Sequence, residues 1–271
     1  MRKFKLINAD GKEFDLMRKD AFFYNISGLG FGVEADYSRV GNKYIASNQH
    51  EKQPAPGGTI SFAGYPQHHE FRNFCRTGGL VLAFMPLDKW YFIDVNIDIS
   101  HSDISKETKR LECEIRFTAT SYWYEKVTAR KTTENDSDGK KYPYTYPYSY
   151  SGERAGIIDI AGGSLPSSCK IHIFGPCKNP AFVLTKSGQK VADGRVFIDL
   201  LAGRKLVIDS DPVNMEIAEY TKNNEYIANR YQNSDFETDR IVQVPAGESR
   251  FTFTQEGGGK VVAFVEVKKL V

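Results

Sequence analysis

The sequence predicts a mainly β protein, with an N-terminal β-sandwich-like domain that contains one short helix and a C-terminal β-sandwich or jelly roll. Two observations predict this fold class. Apolar and polar residues alternate over much of the chain, and a period of two places neighbouring side chains on opposite faces of a strand. Short apolar segments also follow one another every 8 to 12 residues or so, separated by glycines and prolines, as in sandwiches and jelly rolls.

The clearest alternation lies in residues 93–99 and 111–119. Their apolar residues predict the buried face of two antiparallel strands, and their polar residues predict a face that meets water or a partner. The polar residues are Asp94, Asn96 and Asp98 in the first segment and Glu112, Glu114 and Arg116 in the second. We therefore expect these side chains to form one wet face.

A single helix is predicted over Pro66–Arg76. Proline suits the first turn of a helix, and Phe71, Phe74 and Cys75 recur at the three-four spacing of one helical face. The pair Gly78–Gly79 then provides a stop signal. Such a short helix is not stable alone, so we expect its aromatic face to pack on the strands before and after it.

Three glycines, Gly28, Gly30 and Gly32, occupy alternate positions after a short apolar segment. A phosphate-binding loop would need a glycine-rich turn that opens directly into a helix. The residues after Gly32 are strand-like instead. The glycines therefore predict a β-bulge or a close approach between backbones.

The second half of the chain is again predicted to consist of short strands and turns. The predicted strands are residues 157–160, 170–174, 195–200, 205–208, 241–244, 250–254 and 261–267. The polar, Asn-rich segment 219–237 is predicted to be a connection between strands and a candidate for contacts.

A polar connection separates the two halves. Residues 129–141 contain no large apolar side chain, which is typical of a solvated linker. We predict a first domain over 1–130, a linker over 131–141 and a second domain over 142–271. Residues 142–150 alternate tyrosine with other residues, and their prolines exclude a central strand. An edge strand or an extended tether is the favoured interpretation, and a stacking platform for sugars or bases is the alternative.

Charge and hydropathy exclude several classes of partner. The net charge is +2, from 36 Lys and Arg against 34 Asp and Glu, and neither half is basic enough for a nucleic-acid-binding domain. No apolar segment is long enough to span a membrane, and the first residues do not form a signal peptide. We therefore expect synthesis in a cytoplasm, with no nucleic-acid or membrane partner.

The four cysteines are expected to be reduced. Cys75 and Cys113 lie on apolar faces, where a free thiol behaves as a small hydrophobe. Cys169 and Cys177 flank a predicted strand, which would hold them too far apart for a disulfide. No Cys-x-x-Cys pair is present, so a zinc site is not predicted.

No catalytic, metal or cofactor site is predicted. His68 and His69 are adjacent, and on a helix they point about 100° apart, so they cannot share one metal ion. The acidic pairs of the alternating segments lie along a strand face, whereas a glycosidase needs two carboxylates in a cleft. Ser27 lacks the Gly-x-Ser-x-Gly setting of a hydrolase. We expect a protein that is not an enzyme and that needs no cofactor.

Several segments follow one another in a characteristic order. They are an opening strand with Asn8 and Gly11, the run Asn25–Phe31, the strand Gly58–Ala63 that leads into the helix Tyr65–Phe74, the strand Leu111–Phe117 that ends in Ser121–Tyr124, a Tyr-Pro-rich junction and a β-rich second half. Together they resemble the distal tail proteins (Dit) of long-tailed, non-contractile bacteriophages. The resemblance covers nearly the whole chain, and its specificity lies in the order of the segments.

The resemblance implies a structural role at the tip of a virion tail. Such proteins form a homohexameric ring that caps the tail tube, and the N-terminal domain contacts the tail tube protein and the tail-associated lysin or tail-tip protein. The C-terminal domain is galectin-like, projects outward and can anchor receptor-binding proteins for host adsorption. Some members carry an additional arm or a carbohydrate-binding insertion in the second domain, and this chain resembles the plain form.

Two sets of residues are the candidate contact sites. The polar residues of the alternating segments suit a wet interface between copies in a closed ring. The alternative function is a carbohydrate-binding β protein that contacts host cell-wall glycans. Both tryptophans, Trp90 and Trp123, lie in the first half, so Tyr220, Tyr226 and Tyr231 are the candidate glycan contacts of the second half.

Overall fold

The computed structural model describes residues 2–100, 104–105, 107–130, 156–258 and 261–270. The chain divides into two compact units, Met1–Tyr124 and Glu125–Val271. The division therefore lies before the predicted domain end at residue 130. The predicted linker and the tyrosine-rich segment that follows it lie outside the described residues.

The described residues of the first unit form antiparallel strands and one helix. Its elements are β1 (Lys3–Ile7), β2 (Glu13–Asp15), β3 (Met17–Arg18), β4 (Ala21–Ser27), β5 (Val33–Val40), β6 (Lys43–Glu51), β7 (Gly57–Phe62), α1 (Tyr65–Cys75), β8 (Leu80–Met85), β9 (Tyr91–Ile99) and β10 (Leu111–Ala119). The main sheet runs in the order β2-β1-β8-β9-β10-β7-β4-β3, and β5 pairs only with β6 among the described residues. The strand β11 (Tyr124–Arg130) begins at the division, where Tyr124 pairs with Phe92.

The predicted alternation of β9 and β10 is confirmed. Ile115 and Phe117 of β10 lie opposite Ile99 and Ile97 of β9, and both residues of β10 are buried. Side chains from seven strands and the helix form the first core. It includes Phe4, Leu6, Phe14, Leu16, Phe23, Ile60, Phe62, Phe71, Leu82, Ile93, Leu111, Ile115 and Phe117.

The helix α1 forms where the sequence predicts it. Proline stands in its first turn, and Gly78, with φ of 72°, follows its end. Phe71 is fully buried and its ring centroid lies 5.0 Å from that of Phe14 and 5.5 Å from that of Phe62. The aromatic face of the helix therefore belongs to the core, as predicted, and Phe74 packs at its margin.

The glycine-rich run contains the predicted bulge and close approach. The register between β4 and β7 shifts between Tyr24 and Ser27. Gly28 follows with φ of 74°, and a Cβ atom built on it would lie 2.1 Å from the carbonyl oxygen of Ala55. No side chain fits at that distance.

Replacing Gly28 with alanine is therefore expected to lower the free energy of unfolding by more than about 1 kcal/mol. Gly30 offers a matched control, because a Cβ atom there meets no atom within 4 Å. Chemical denaturation of both variants measures the difference. Equal effects of Gly28→Ala and Gly30→Ala would contradict the packing constraint.

The described residues of the second unit form strands and one short 3₁₀ turn. Its elements after β11 are β12 (Gly156–Ala161), β13 (Ser167–Phe174), β14 (Cys177–Lys178), β15 (Ala181–Lys186), β16 (Gln189–Arg195), β17 (Asp199–Leu200), β18 (Arg204–Asp209), β19 (Glu216–Thr221), β20 (Tyr226–Asn229), the turn Tyr231–Asn233, β21 (Gln243–Val244), β22 (Glu248–Thr254) and β23 (Val262–Leu270). One sheet has the order β12-β22-β15-β16, and a second contains β20-β19-β18-β13-β23. Apolar residues of both sheets form the second core, as expected for a β-sandwich.

Two predictions in this unit are wrong. The predicted strand 195–200 is instead the end of β16 and the separate strand β17, because β16 belongs to a tight hairpin that turns at Ser187 and Gly188, both at positive φ. The predicted connection 219–237 contains β20 and the end of β19. Its polar residues form a hairpin because Asn224, with φ of 68°, makes the turn and arginines neutralise the buried Glu219.

All four cysteines carry free thiols. Burial raises the pKa of Cys75 and of Cys169 to about 12. Burial and, to a smaller extent, the charge of Asp199 raise the pKa of Cys177 to about 11. These thiols are therefore protonated and unreactive at neutral pH.

Candidate interaction surfaces

The predicted polar residues of β9 and β10 share one face of the first sheet. Arg116 lies opposite Asp98, and its guanidinium is 3.7 Å from the carboxylate of Glu114. Asn96, Asp98, Glu114 and Arg116 are exposed. We call the outward surface of Asp94, Asn96, Asp98, Glu112, Glu114 and Arg116 the acidic face, because it carries four carboxylates and one guanidinium.

Asp94 differs from the other members of the acidic face. The hydroxyl of Tyr124 donates a 2.7 Å hydrogen bond to its carboxylate, and its backbone N–H donates to the hydroxyl of Ser121 at 2.9 Å. Asp94 is half-buried and serves as an anchor for the chain after β10. Its carboxylate is therefore less accessible to a partner than those of Asp98 and Glu114.

An aromatic groove adjoins the acidic face on β4, and sequence reasoning did not find it. Phe22 and Tyr24 point outward from β4 with stacked rings whose centroids are 6.3 Å apart. The groove has a volume of about 540 Å³, and Arg110 and Glu112 are among its lining residues. Phe22 is 38% exposed. The outward alternation of β4 is visible in the sequence, but the neighbouring strands that make it a groove are not.

Three charged residues, Lys19, Arg110 and Glu112, line this groove. The guanidinium of Arg110 donates to the Ser61 hydroxyl at 2.7 Å and to the Lys19 carbonyl at 3.1 Å, which fixes its position. Burial and, next, the charge and hydrogen bonding of Glu112 raise the pKa of Tyr24. The Tyr24 hydroxyl is therefore neutral at pH 7 and faces a carboxylate.

A second exposed element of the first unit is the hairpin of β5 and β6. We call residues Val33–Glu51 the arm. Almost every residue of both strands is exposed, and the arm turns through Gly41, whose φ is 62°. Tyr37 and Tyr44 are 67% and 71% exposed. The arm thus presents aromatic side chains to solvent on strands that pair with no other strand among the described residues.

The three candidate tyrosines of the second unit make two separate sets of contacts. Tyr220 and Tyr226 lie opposite each other on β19 and β20, with ring centroids 5.7 Å apart. Burial and then Glu216, which accepts a hydrogen bond from the Tyr220 hydroxyl, raise the pKa of Tyr220 to about 12. Tyr231 packs on Phe236 at 5.9 Å instead. The structure thus joins two of the three tyrosines in one contact.

The outward face of the second sheet contains a buried histidine. The ring of His172 stacks on Phe264 at 4.1 Å, and neither ring nitrogen has a hydrogen-bond partner within the described residues. Burial and then the charges of Lys205 and Lys170 lower its pKa to about 4. His172 is therefore neutral at pH 7.

A polar cleft of about 360 Å³ lies beside this face of the second sheet. It is lined by paired charges, in which Lys170 lies 2.8 Å from Asp209 and Lys268 lies 2.6 Å from Asp211. No group of His, Cys, Asp and Glu side chains suited to a metal ion occurs in the part of the chain that the structure describes. No helix in that part is long and apolar enough to cross a membrane.

The comparisons with known proteins agree with this architecture. The sequence model of the family described as "Distal tail protein, N-terminal domain" matches residues 3–120. No curated protein sequence matches the chain. A chain of the phage P2 baseplate in its activated conformation with Ca is similar in structure, with a TM-score of 0.71 and 16% identity over 100% of this chain and 99% of that chain.

A second solved structure is the Dit protein (gp 19.1) of phage SPP1, described as a paradigm of the hub adsorption apparatus in phages that infect Gram-positive bacteria. Its TM-score is 0.60 at 12% identity, and the similarity covers 99% of each chain. Similarity at such low identity shows the fold alone, and the family match applies to residues 3–120. Residues 3–120 therefore belong to the family of distal tail protein N-terminal domains, and the whole chain has the fold of these phage baseplate and hub proteins.

Proposed function

We propose that this protein is a structural hub of a phage tail tip, where six copies form a closed ring. The ring joins the tail tube protein to the tail-associated lysin or tail-tip protein, and the second domain anchors receptor-binding proteins for host adsorption. The chain is made in the cytoplasm of the bacterial host and then built into the virion. It works by binding and positioning partners and not by catalysis.

The observation that carries this proposal is the uncovered arm. A two-stranded hairpin alone is marginally stable in water, and long unpaired strand edges invite pairing with another chain. The arm also exposes large side chains on both of its faces, among them Tyr37, Val40, Tyr44 and Ile45. Aromatic residues are enriched in the cores of protein interfaces. A subunit with such an arm is suited to assembly.

The location of these features supports the proposed division of roles between the two domains. The arm, the aromatic groove and the acidic face all belong to the first unit, which is also the part that matches the family. We therefore assign the ring contacts and the tube contact to the first domain. The second domain remains available for receptor-binding proteins.

The mass of the purified full chain tests the ring. We expect particles of six times the 30.6 kDa of one chain at high concentration, measured by light scattering. A closed ring leaves no free interface, so the mass should reach a plateau as concentration rises. A monomer at every concentration, even after addition of a tail-tip partner, would contradict the proposal.

Glycan binding by the second domain remains the alternative. Its support is the exposed ring of Tyr226, which is 60% accessible beside Tyr220. Tyr231 packs on Phe236 and not on Tyr220 or Tyr226, so the three predicted tyrosines do not form one glycan-binding surface. The hub is the function that the geometry supports better.

A further inference from the structure

We infer that the arm of one copy docks on the next copy through its Tyr37–Tyr44 face, which covers the aromatic groove and the adjacent acidic face. This inference rests on the proposed ring and names the two surfaces that meet in it. Each surface belongs to the first unit and is exposed in the isolated subunit.

The two faces of the arm differ in chemistry. Pairing places Tyr37 opposite Ala46 and Arg39 opposite Tyr44, so these four side chains share one face. The other face carries two aliphatic side chains, a serine and a lysine. Its members are Ser38, Val40, Lys43 and Ile45. Tyrosine and arginine are the residue types enriched at interface hot spots, which favours the first face.

The groove has the shape and character to receive aromatic side chains. It is open to solvent, its volume is about 540 Å³, and the stacked rings of Phe22 and Tyr24 form one wall. None of its lining residues comes from the arm, so the arm of the same copy does not fill it. An aromatic ring that enters the groove would bury apolar surface and could pack against these rings.

The charges of the two surfaces are complementary. Among residues 37–46, the distal part of the arm, none is acidic, and Arg39 is the cation of the Tyr37–Tyr44 face, whereas Lys43 lies on the opposite face. The acidic face carries Glu112, Glu114 and Asp98, and the side chain of Glu114 is 70% exposed. Arg39 is therefore matched by the acidic face, whereas the groove itself is lined by Lys19 and Arg110 as well as Glu112. Opposite potentials favour this pairing and oppose contact between two acidic faces.

A second copy is the occupant that satisfies both surfaces at once. The arm and the groove are different patches of one chain, so their contact is heterologous, and repetition of a heterologous contact builds a ring when the rotation closes. Each copy then donates one arm and receives one. No arm and no groove is left uncovered in the closed ring.

The first test compares the two faces of the arm in the full chain. Tyr37→Ser removes an exposed ring from the proposed docking face, and Ile45→Ser removes an exposed side chain, 55% accessible, from the opposite face. We expect Tyr37→Ser to raise the concentration for half-assembly about tenfold or more, and Ile45→Ser to change it little. Equal effects, or a larger effect of Ile45→Ser, would overturn the assignment of the face.

The second test exchanges charges. Arg39→Glu and Glu114→Arg should each weaken assembly, and the double variant should recover most of the loss, because the exchange restores opposite charges. Both residues are exposed, so folding should be preserved in each variant. A double variant that assembles no better than the worse single variant would contradict docking of the arm beside Glu114.

The third test identifies the occupant. A chain with Ala46→Cys, on the same face of the arm as Tyr37, is mixed with a chain that carries Thr108→Cys in the lining of the groove, and a short bismaleimide is added at neutral pH. Cross-linked dimers are expected in the mixture and not with either variant alone, and the raised pKa of Cys75 keeps its background low. Rings that assemble without this cross-link would overturn the inference while leaving the proposed hub intact, whereas a wild-type chain without rings would count against the hub itself.

Discussion

Replacing Phe71 with alanine is expected to lower the free energy of unfolding of the first unit by about 3–5 kcal/mol. The side chain is fully buried, and its ring packs between Phe14 and Phe62, which belong to different strands. Truncation removes apolar burial and leaves a cavity where α1 meets the sheet. A loss of this size is a large fraction of the stability of a typical domain.

Denaturation followed by tryptophan fluorescence measures the stability of the first unit. Both tryptophans, Trp90 and Trp123, lie in the first unit and report its unfolding. Phe74→Ala on the same helix is the control, because Phe74 is only half-buried and a loss of about 1–2 kcal/mol is expected. Equal losses for the two variants would contradict the central position of Phe71 in the core.

Replacing Glu219 with alanine is expected to destabilise the second unit by about 3 kcal/mol. Its carboxylate is fully buried and accepts hydrogen bonds from Arg204 at 2.8 Å and from Arg230. Removal leaves two guanidinium groups without their shared partner and releases the segment after β20. Calorimetry of the full chain should show a lower transition temperature, and Glu237→Ala, an exposed change in the following loop, should leave it within about 1 °C.

The pH dependence of this effect has a defined sign. Burial by itself raises the pKa of Glu219, but the hydrogen bonds and charges of Arg204 and Arg230 hold it below its ordinary value. A carboxylate with a lowered pKa in the folded state stabilises the fold above its unfolded pKa, about 4.3, and loses that contribution as pH falls through the folded pKa. The stability difference between the parent and Glu219→Gln should be full above about pH 5 and shrink below pH 4. A difference that grows on acidification would contradict the charged state of Glu219.

The alternating segments show which features of the fold a local sequence pattern can predict. A strand with one buried face needs apolar residues at every second position, so the strands β9 and β10 and the wet face of Asp98 and Glu114 could be read directly from residues 93–119. The helix α1 was also predictable from the sequence, since its proline, the spacing of its aromatic residues and the glycines after it each favour or end a helix locally. The bulge before Gly28 was predicted for the same reason.

The errors have a common cause in non-local pairing. Segment 219–237 contains polar residues typical of a loop, but its buried glutamate becomes favourable once Arg204, on another strand, lies beside it. The sequence pattern did not predict the hairpin of β15 and β16, because its strands are set by the two-residue turn at Ser187 and Gly188. The boundaries of β16 and β17 depend on partners that are distant in sequence.

The sequence by itself determined the β class, the single helix, the positions of most strands, the wet face and the family resemblance, because these depend on side-chain period and on the order of segments. Only the tertiary structure decided that Phe22 and Tyr24 form a groove beside the acidic face, that the arm of Val33–Glu51 stands uncovered, and that Tyr231 lies with Phe236. Exposure is a property of the packed chain. A strand of alternating residues has the same sequence pattern whether its second face meets a core, water or a neighbouring copy. Only the surrounding strands distinguish these cases.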